Sequence, residues 1–222
     1  MSFYQRLLVE TEAERKALLS TPLIQSGVKG DLSHAVYLAF LTEAYHHVKH
    51  TVPLLMACGA RIPERLEWLR EAVAHYIEEE TGHQEWILND IRNTGGDAEA
   101  VRAGRPAMTT DIMIAYAYDT VLRRNPAGLF GMVLVLEGTS VNVATRAAEA
   151  IQKSLGLKDD CFSYLTSHGA LDVSHMAFFE ELMNQLTDSD DQEAVISCAK
   201  VIYRLYGDIF RGLVARVEGE AA

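Results

Sequence analysis

The chain has 222 residues, 49% of them apolar and only 5 of them proline, with a formal charge of −11 and an isoelectric point near 5.2. That length suits one large helical domain over residues 1–222 and is short for two. The 20 Lys and Arg residues are scattered, so no basic patch is available to neutralise phosphates, which excludes nucleic acid as a partner.

Three cysteines, Cys58, Cys161 and Cys198, are an odd number without metal-site spacing, so no disulfide framework is expected. Met-Ser-Phe-Tyr-Gln-Arg at the start has no apolar signal core, and no run approaches the ~20 apolar residues of a membrane span. The expectation is a cytoplasmic protein without a membrane partner, acting on a small molecule and pairing with another copy of itself as a homodimer.

Nearly every long segment carries a helical period, and none alternates as a strand does. Residues 2–20 read as a first amphipathic helix, ended by Thr21-Pro22 and Gly27–Gly30. Asp31 is the expected N-cap of a second helix reaching about Gly59, with a kink at Pro53. Pro63 opens a third, which runs to Asn93, loosens at Thr81-Gly82 and stops at Gly95-Gly96. A short piece at 97–103 leads to a fourth helix at 110–124. Asn125-Pro126 separates that from a fifth at 127–155, closed by Gly156. Asp159 or Asp160 is the expected cap of the segment leading into 168–186, and a last helix fills 191–218. The fold class is all-α, a bundle of about seven helices with short connections.

Polar residues on apolar stripes are the informative feature. On the third helix Leu69, Val73, Tyr76, Ile77 and Ile87 mark the inner face. Glu80 and His83 share that face, while Glu78 and Glu79 turn outward. The alternative is a solvated acidic run. On the fifth helix Leu129–Leu136 is apolar on all sides and Glu137 follows, with Phe130, Val133, Leu134, Val141 and Ala144 on its face. A buried ionised carboxylate costs several kcal/mol unless it is paired or bound to metal. The alternative is a protonated glutamic acid.

His168, Asp172 and His175 form one helical stripe that continues into Met176 and Phe179, an arrangement suited to iron, manganese or zinc. On the second helix Glu43, His46, His47 and His50 share an arc of about 100°. Three carboxylate-x-x-His pairs therefore exist, 43/46, 80/83 and 172/175, and spacing does not say which build a site. Core hydrogen bonding is the alternative for the second-helix histidines. Helix-bundle di-iron sites take carboxylates plus Glu-x-x-His pairs from facing helices. Glu80, His83, Glu137, His168, Asp172 and His175 supply three carboxylates and three histidines, enough for two irons.

Glu80-x-x-His83, the isolated Glu137 and His168-x3-Asp172-x2-His175 together resemble the haem-oxygenase-like di-iron oxidases. Their wider superfamily includes haem oxygenase, the TenA-type thiaminases and pyrroloquinoline-quinone synthase. The resemblance covers most of the chain and implies a haem-oxygenase-like fold. It also implies that the six residues bind two Fe per chain, with Mn or Zn as substitutes, to activate dioxygen on a small organic substrate. It leaves the second-helix histidines outside the metal site and puts His50 near the pocket. Tyr45–Thr51 is similar to the corresponding helix of TenA-like and quinone-synthase-like members. Tyr76, Phe130, Met132 or Val133, Met176 and Phe179 are the expected apolar lining. A TenA-type enzyme would need a pocket-facing nucleophilic cysteine, and haem oxygenase a proximal histidine near the N-terminus. The alternatives are a metal-free TenA- or quinone-synthase-like enzyme, in which histidines act as acid–base groups, and a non-catalytic interaction protein on the same fold.

Overall fold

In the computed structural model the backbone is described for residues 1–220 and side chains for 1–167 and 175–213. Twelve α-helices and three 3-10 turns make up this part of the chain, and it contains no strand. The expected helical stretches are present, several of them broken where local chemistry interrupts the backbone ladder.

The first stretch is two helices, α1 (Phe3–Glu10) and α2 (Glu12–Leu19). They part at Thr11, whose hydroxyl donates back to the Leu7 carbonyl at 2.8 Å, a bond that bends helices. A short α3 (Pro22–Gly27) precedes α4 (His34–Val48) and α5 (Thr51–Arg61). The N-cap of α4 is Ser33, not the expected Asp31; its hydroxyl accepts from Val36 N. Pro53 acts four residues upstream of itself. It cannot donate to the Lys49 carbonyl and its ring crowds that group, and the helix is interrupted at Lys49-His50.

The third stretch is α6 (Glu67–Glu80) and α7 (His83–Asn93). Gly82 lies between them at φ 97°, a left-handed conformation that ends helices and that glycine adopts without steric cost. After α8 (Ala98–Ala103) and α9 (Met108–Arg123) comes α10 (Leu129–Leu155), closed by Gly156 at φ 65°. The chain ends with α11 (Ser163–Gln185) and α12 (Ser189–Glu220).

α10 is the axis of the molecule, packed along α11 and α12. The most apolar 18-residue window of the helical stretch Pro126–Leu155 has a mean hydropathy of 1.5, enough for a membrane span by composition, which the sequence reading did not anticipate. In the fold 61% of that window is buried inside the protein. The apolar interior divides into two clusters, one around α5, α6, α9 and α12 and one around α4 and α7. α10 contributes to both.

α11 is capped from a distant element. Asp159 and Asp160, the expected caps, form a 3-10 turn with Cys161. The carboxylate that meets the start of α11 belongs to Asp90 of α7, which is fully buried. It accepts from Ser163 N at 2.9 Å, Tyr164 N at 2.8 Å and Ser163 Oγ at 2.6 Å. Tyr37 of α4 secures the same junction, donating to the Cys161 carbonyl at 2.7 Å and stacking on Phe162.

Candidate metal centre

Three helices bring Glu80, Glu137 and His175 together. One ligand atom from each lies within 4.8 Å of the others, and all three residues are buried. Glu80 is the last residue of α6 and His83 the first of α7, so the Glu-x-x-His pair straddles the Gly82 break. His83 Nδ1 still lies 3.0 Å from Glu80 Oε2, and its ring stacks on Trp86 at 4.0 Å. Glu137 projects from the middle of α10, with its Oε1 3.6 Å from His175 Nδ1. Val141, expected on the same face, is 39% exposed. The Tyr76 ring meets His175 edge-on at 5.9 Å.

The other face of His175 corrects the sequence reading. Glu79, expected to turn outward, places Oε2 3.2 Å from His175 Nε2 and 3.4 Å from His75 Nε2. Sequence periodicity missed it because Glu79 and Glu80 are ~100° apart on an unbroken helix, whereas here both sit in a final turn beside α11. The side chains of His168 and Asp172 lie outside the described residues; their backbone belongs to α11, as does that of His175.

Glu80 and Glu137 form part of the wall of a cavity of about 170 Å³. Its other walls come from α3, α4, α5, α10, α11 and α12 and are mainly aliphatic. Tyr76 and His47 line it, and the His47 ring meets Tyr206 edge-on at 5.7 Å. Of the expected apolar lining, Met132 and Val133 belong to it. Phe130, Phe179 and Met176 are packed into the adjoining core instead.

The rest of the second-helix cluster stands apart from the cavity. Glu43 is fully enclosed at the start of α9, accepting from Ala107 N at 3.2 and 3.1 Å and from Thr110 Oγ1 at 2.6 Å. It serves as a helix cap supplied by another helix. His46 Nδ1 lies 3.2 Å from Lys49 Nζ. His50, expected near the pocket, is absent from its lining and lies 3.2 Å from the Tyr118 hydroxyl. Burial, with Lys49 adding to it, shifts His50 below the usual histidine range.

No cysteine lines the cavity. All three thiols are free and buried, and burial pushes Cys58 and Cys198 up to about 12, far from thiolate formation. The first histidine of the chain is His34, and its Nε2 lies 2.7 Å from the Thr94 carbonyl. α3 contributes Leu23, Ile24 and Gly27 to the cavity. Two residues near the site went unread in the sequence. Asp90 continues the stripe of His83 and Ile87 at helical spacing, and Ser140 follows Glu137 by one turn, so both carried a periodic signal.

Solved structures share this architecture over nearly the whole chain. A domain of unknown function with a haem-oxygenase-like fold from Shewanella denitrificans OS217 superposes with a TM-score of 0.86 at 23% identity, covering 97% of this chain and 93% of that one. A TenA homologue from Pseudomonas syringae pv. tomato gives 0.82 at 12% identity, covering 96% and 93%. Haem oxygenase-1 from the cyanobacterium Synechocystis, solved with haem, gives 0.75 at 11% identity, covering 100% and 98%. These likenesses establish a haem-oxygenase-like all-α fold. No curated protein matches the sequence. The family model described as iron-containing redox enzyme matches residues 38–207, a span that includes Glu80, His83, Glu137 and His175, and the chain belongs to that family.

Proposed function

We propose that the chain is a cytoplasmic, non-haem iron oxidase or oxygenase that activates dioxygen on a small organic substrate. Its two irons would be held by Glu80, His83, Glu137, His168, Asp172 and His175. The observation that carries this reading is the meeting of Glu80, Glu137 and His175 within 4.8 Å, with the two carboxylates in the wall of an apolar cavity. Two buried carboxylates so close repel one another and need a counter-charge. No Lys or Arg lines the cavity among the described residues. Carboxylate and imidazole donors suit iron, and Mn or Zn accept the same set.

When bound, iron would supply open coordination positions and the electrons that dioxygen chemistry requires. The chain's own residues account for the rest. Glu80 of α6 and Glu137 of α10 offer carboxylate oxygens. Glu79, beside His175 Nε2, holds that ring so that Nδ1 faces Glu137, the outer-carboxylate arrangement that orients metal-binding imidazoles. Trp86 fixes the plane of His83. The walls beside the carboxylate pair are mainly aliphatic and offer water few partners.

A haem-oxygenase-like reading lacks an N-terminal histidine in the cavity, and a thiaminase-like one lacks a cysteine there. The test is anaerobic loading with Fe(II), metal analysis, and dioxygen uptake on exposure to air. Two irons per chain with rapid uptake are expected. Absence of iron binding, with Glu137→Ala indistinguishable from wild type, would sink the proposal. The 3.0 Å contact between His83 and Glu80 favours one second reading, metal-free acid–base catalysis; activity untouched by chelators is its signature. A homodimer is part of the proposal and is checked by sedimentation.

A further inference from the structure

The cavity is drawn out along α10. Its lining on that helix begins at Leu129 and ends at Ile151, about 33 Å of helix at about 1.5 Å per residue. Spread along that length, about 170 Å³ makes a narrow channel. Glu137 does not stand at its end: about 12 Å of helix lies on the Leu129 side and about 21 Å on the Ile151 side. Both arms are aliphatic, with Met132 and Val133 on one and Val143, Ala144 and Ala147 on the other.

Charge and hydrogen bonding narrow the ligand further. Among the described lining residues only Glu80 and Glu137 are acidic, and none is Lys or Arg. An anionic head group would therefore meet two carboxylates and no Lys or Arg among the described lining residues. Ser140 lies one helical turn beyond Glu137 in the same wall. Its hydroxyl oxygen is enclosed and has no hydrogen-bond partner among the described residues. Enclosed hydroxyls are ordinarily satisfied, so this one marks where a ligand's polar group belongs.

We propose that the channel takes an elongated, uncharged, mainly aliphatic molecule that runs past Glu80 and Glu137, with one hydrogen-bonding group at Ser140. Taken with the iron reading, on which this use of the channel rests, the position presented to the metal is an internal one of the chain, not its terminus.

Thermal unfolding of the metal-free protein with n-alkanols tests this apart from any metal chemistry. Stabilisation is expected to grow from hexanol through decanol to tetradecanol, with tetradecanoate bound at least tenfold more weakly than tetradecanol. Ala147→Phe plugs the longer arm: hexanol is expected to bind as in wild type and tetradecanol at least tenfold more weakly. Ala147→Leu, a smaller plug, gives the same ordering if the Phe variant folds poorly. Ser140→Ala is expected to weaken every alcohol several-fold. The proposal is overturned if no alkanol stabilises the protein, if both Ala147 variants bind tetradecanol as tightly as wild type, or if tetradecanoate matches tetradecanol. Failure of the iron reading appears separately, as absence of metal binding in a Fe(II) titration of the same protein without alcohol.

Discussion

Asp90→Ala tests the link between α7, which begins at His83, and α11, which carries His175. The wild-type carboxylate is fully buried and accepts three hydrogen bonds, from Ser163 N, Tyr164 N and Ser163 Oγ. Truncation removes an N-cap, which costs about 1–2 kcal/mol. It also leaves buried donors without an acceptor, which adds about 1–3 kcal/mol. A loss of about 3 kcal/mol is the expectation. Asp90→Asn keeps one accepting oxygen but turns an amide N–H toward a donor, and should lose about half as much. Urea unfolding at neutral pH measures both. Because α11 carries His175, the same variants should bind Fe(II) more weakly than wild type even where they are fully folded. An Asp90→Ala protein within about 0.5 kcal/mol of wild type, the range of an ordinary surface change, would refute the capping argument.

Further expectations concern packing, pH and metal. A Cβ on Gly131 would lie 2.4 Å from the Val195 carbonyl oxygen and 2.6 Å from Ala199 N, both backbone atoms of α12. Gly131→Ala should cost about 3 kcal/mol by forcing α10 and α12 apart, read as a lowered Tm. The Arg65 guanidinium, bonded to Asp191 at 2.5 and 3.0 Å, holds that carboxyl below its usual range. The associated stability is present above the unfolded-state value of about 3.9 and is lost as pH falls through the depressed folded value. Asp191→Asn should therefore be less stable at neutral pH and show a flatter acid limb in pH-dependent unfolding. Fe(II) at a hundredfold excess over its Kd should stabilise the fold by about 2.7 kcal/mol; chelation should reverse that gain and Glu137→Ala abolish it, both visible by calorimetry.

The helical stretches were legible because apolar spacing is a local property of the chain. Glu137 was legible because a carboxylate inside an apolar helix demands a counter-charge wherever that helix ends up. Breaks were less legible. Pro53 announced an interruption but not that it would fall at Lys49-His50, and Gly82 looked like loosening where the backbone turns left-handed. Glu43 looked like a ligand by spacing and is a cap by tertiary contact, since the groups it satisfies lie more than 60 positions away at Ala107 and Thr110.

By itself, then, the sequence determined the all-α class, the inward choice of Glu80 and His83, and the exceptional position of Glu137, because each follows from residue type and helical phase within one segment. Only the tertiary structure decided that Glu80, Glu137 and His175 meet, that Glu79 backs His175, and that Asp90 caps α11. Those pairings depend on how four helices are set against one another, and no periodicity within a single segment encodes that distance.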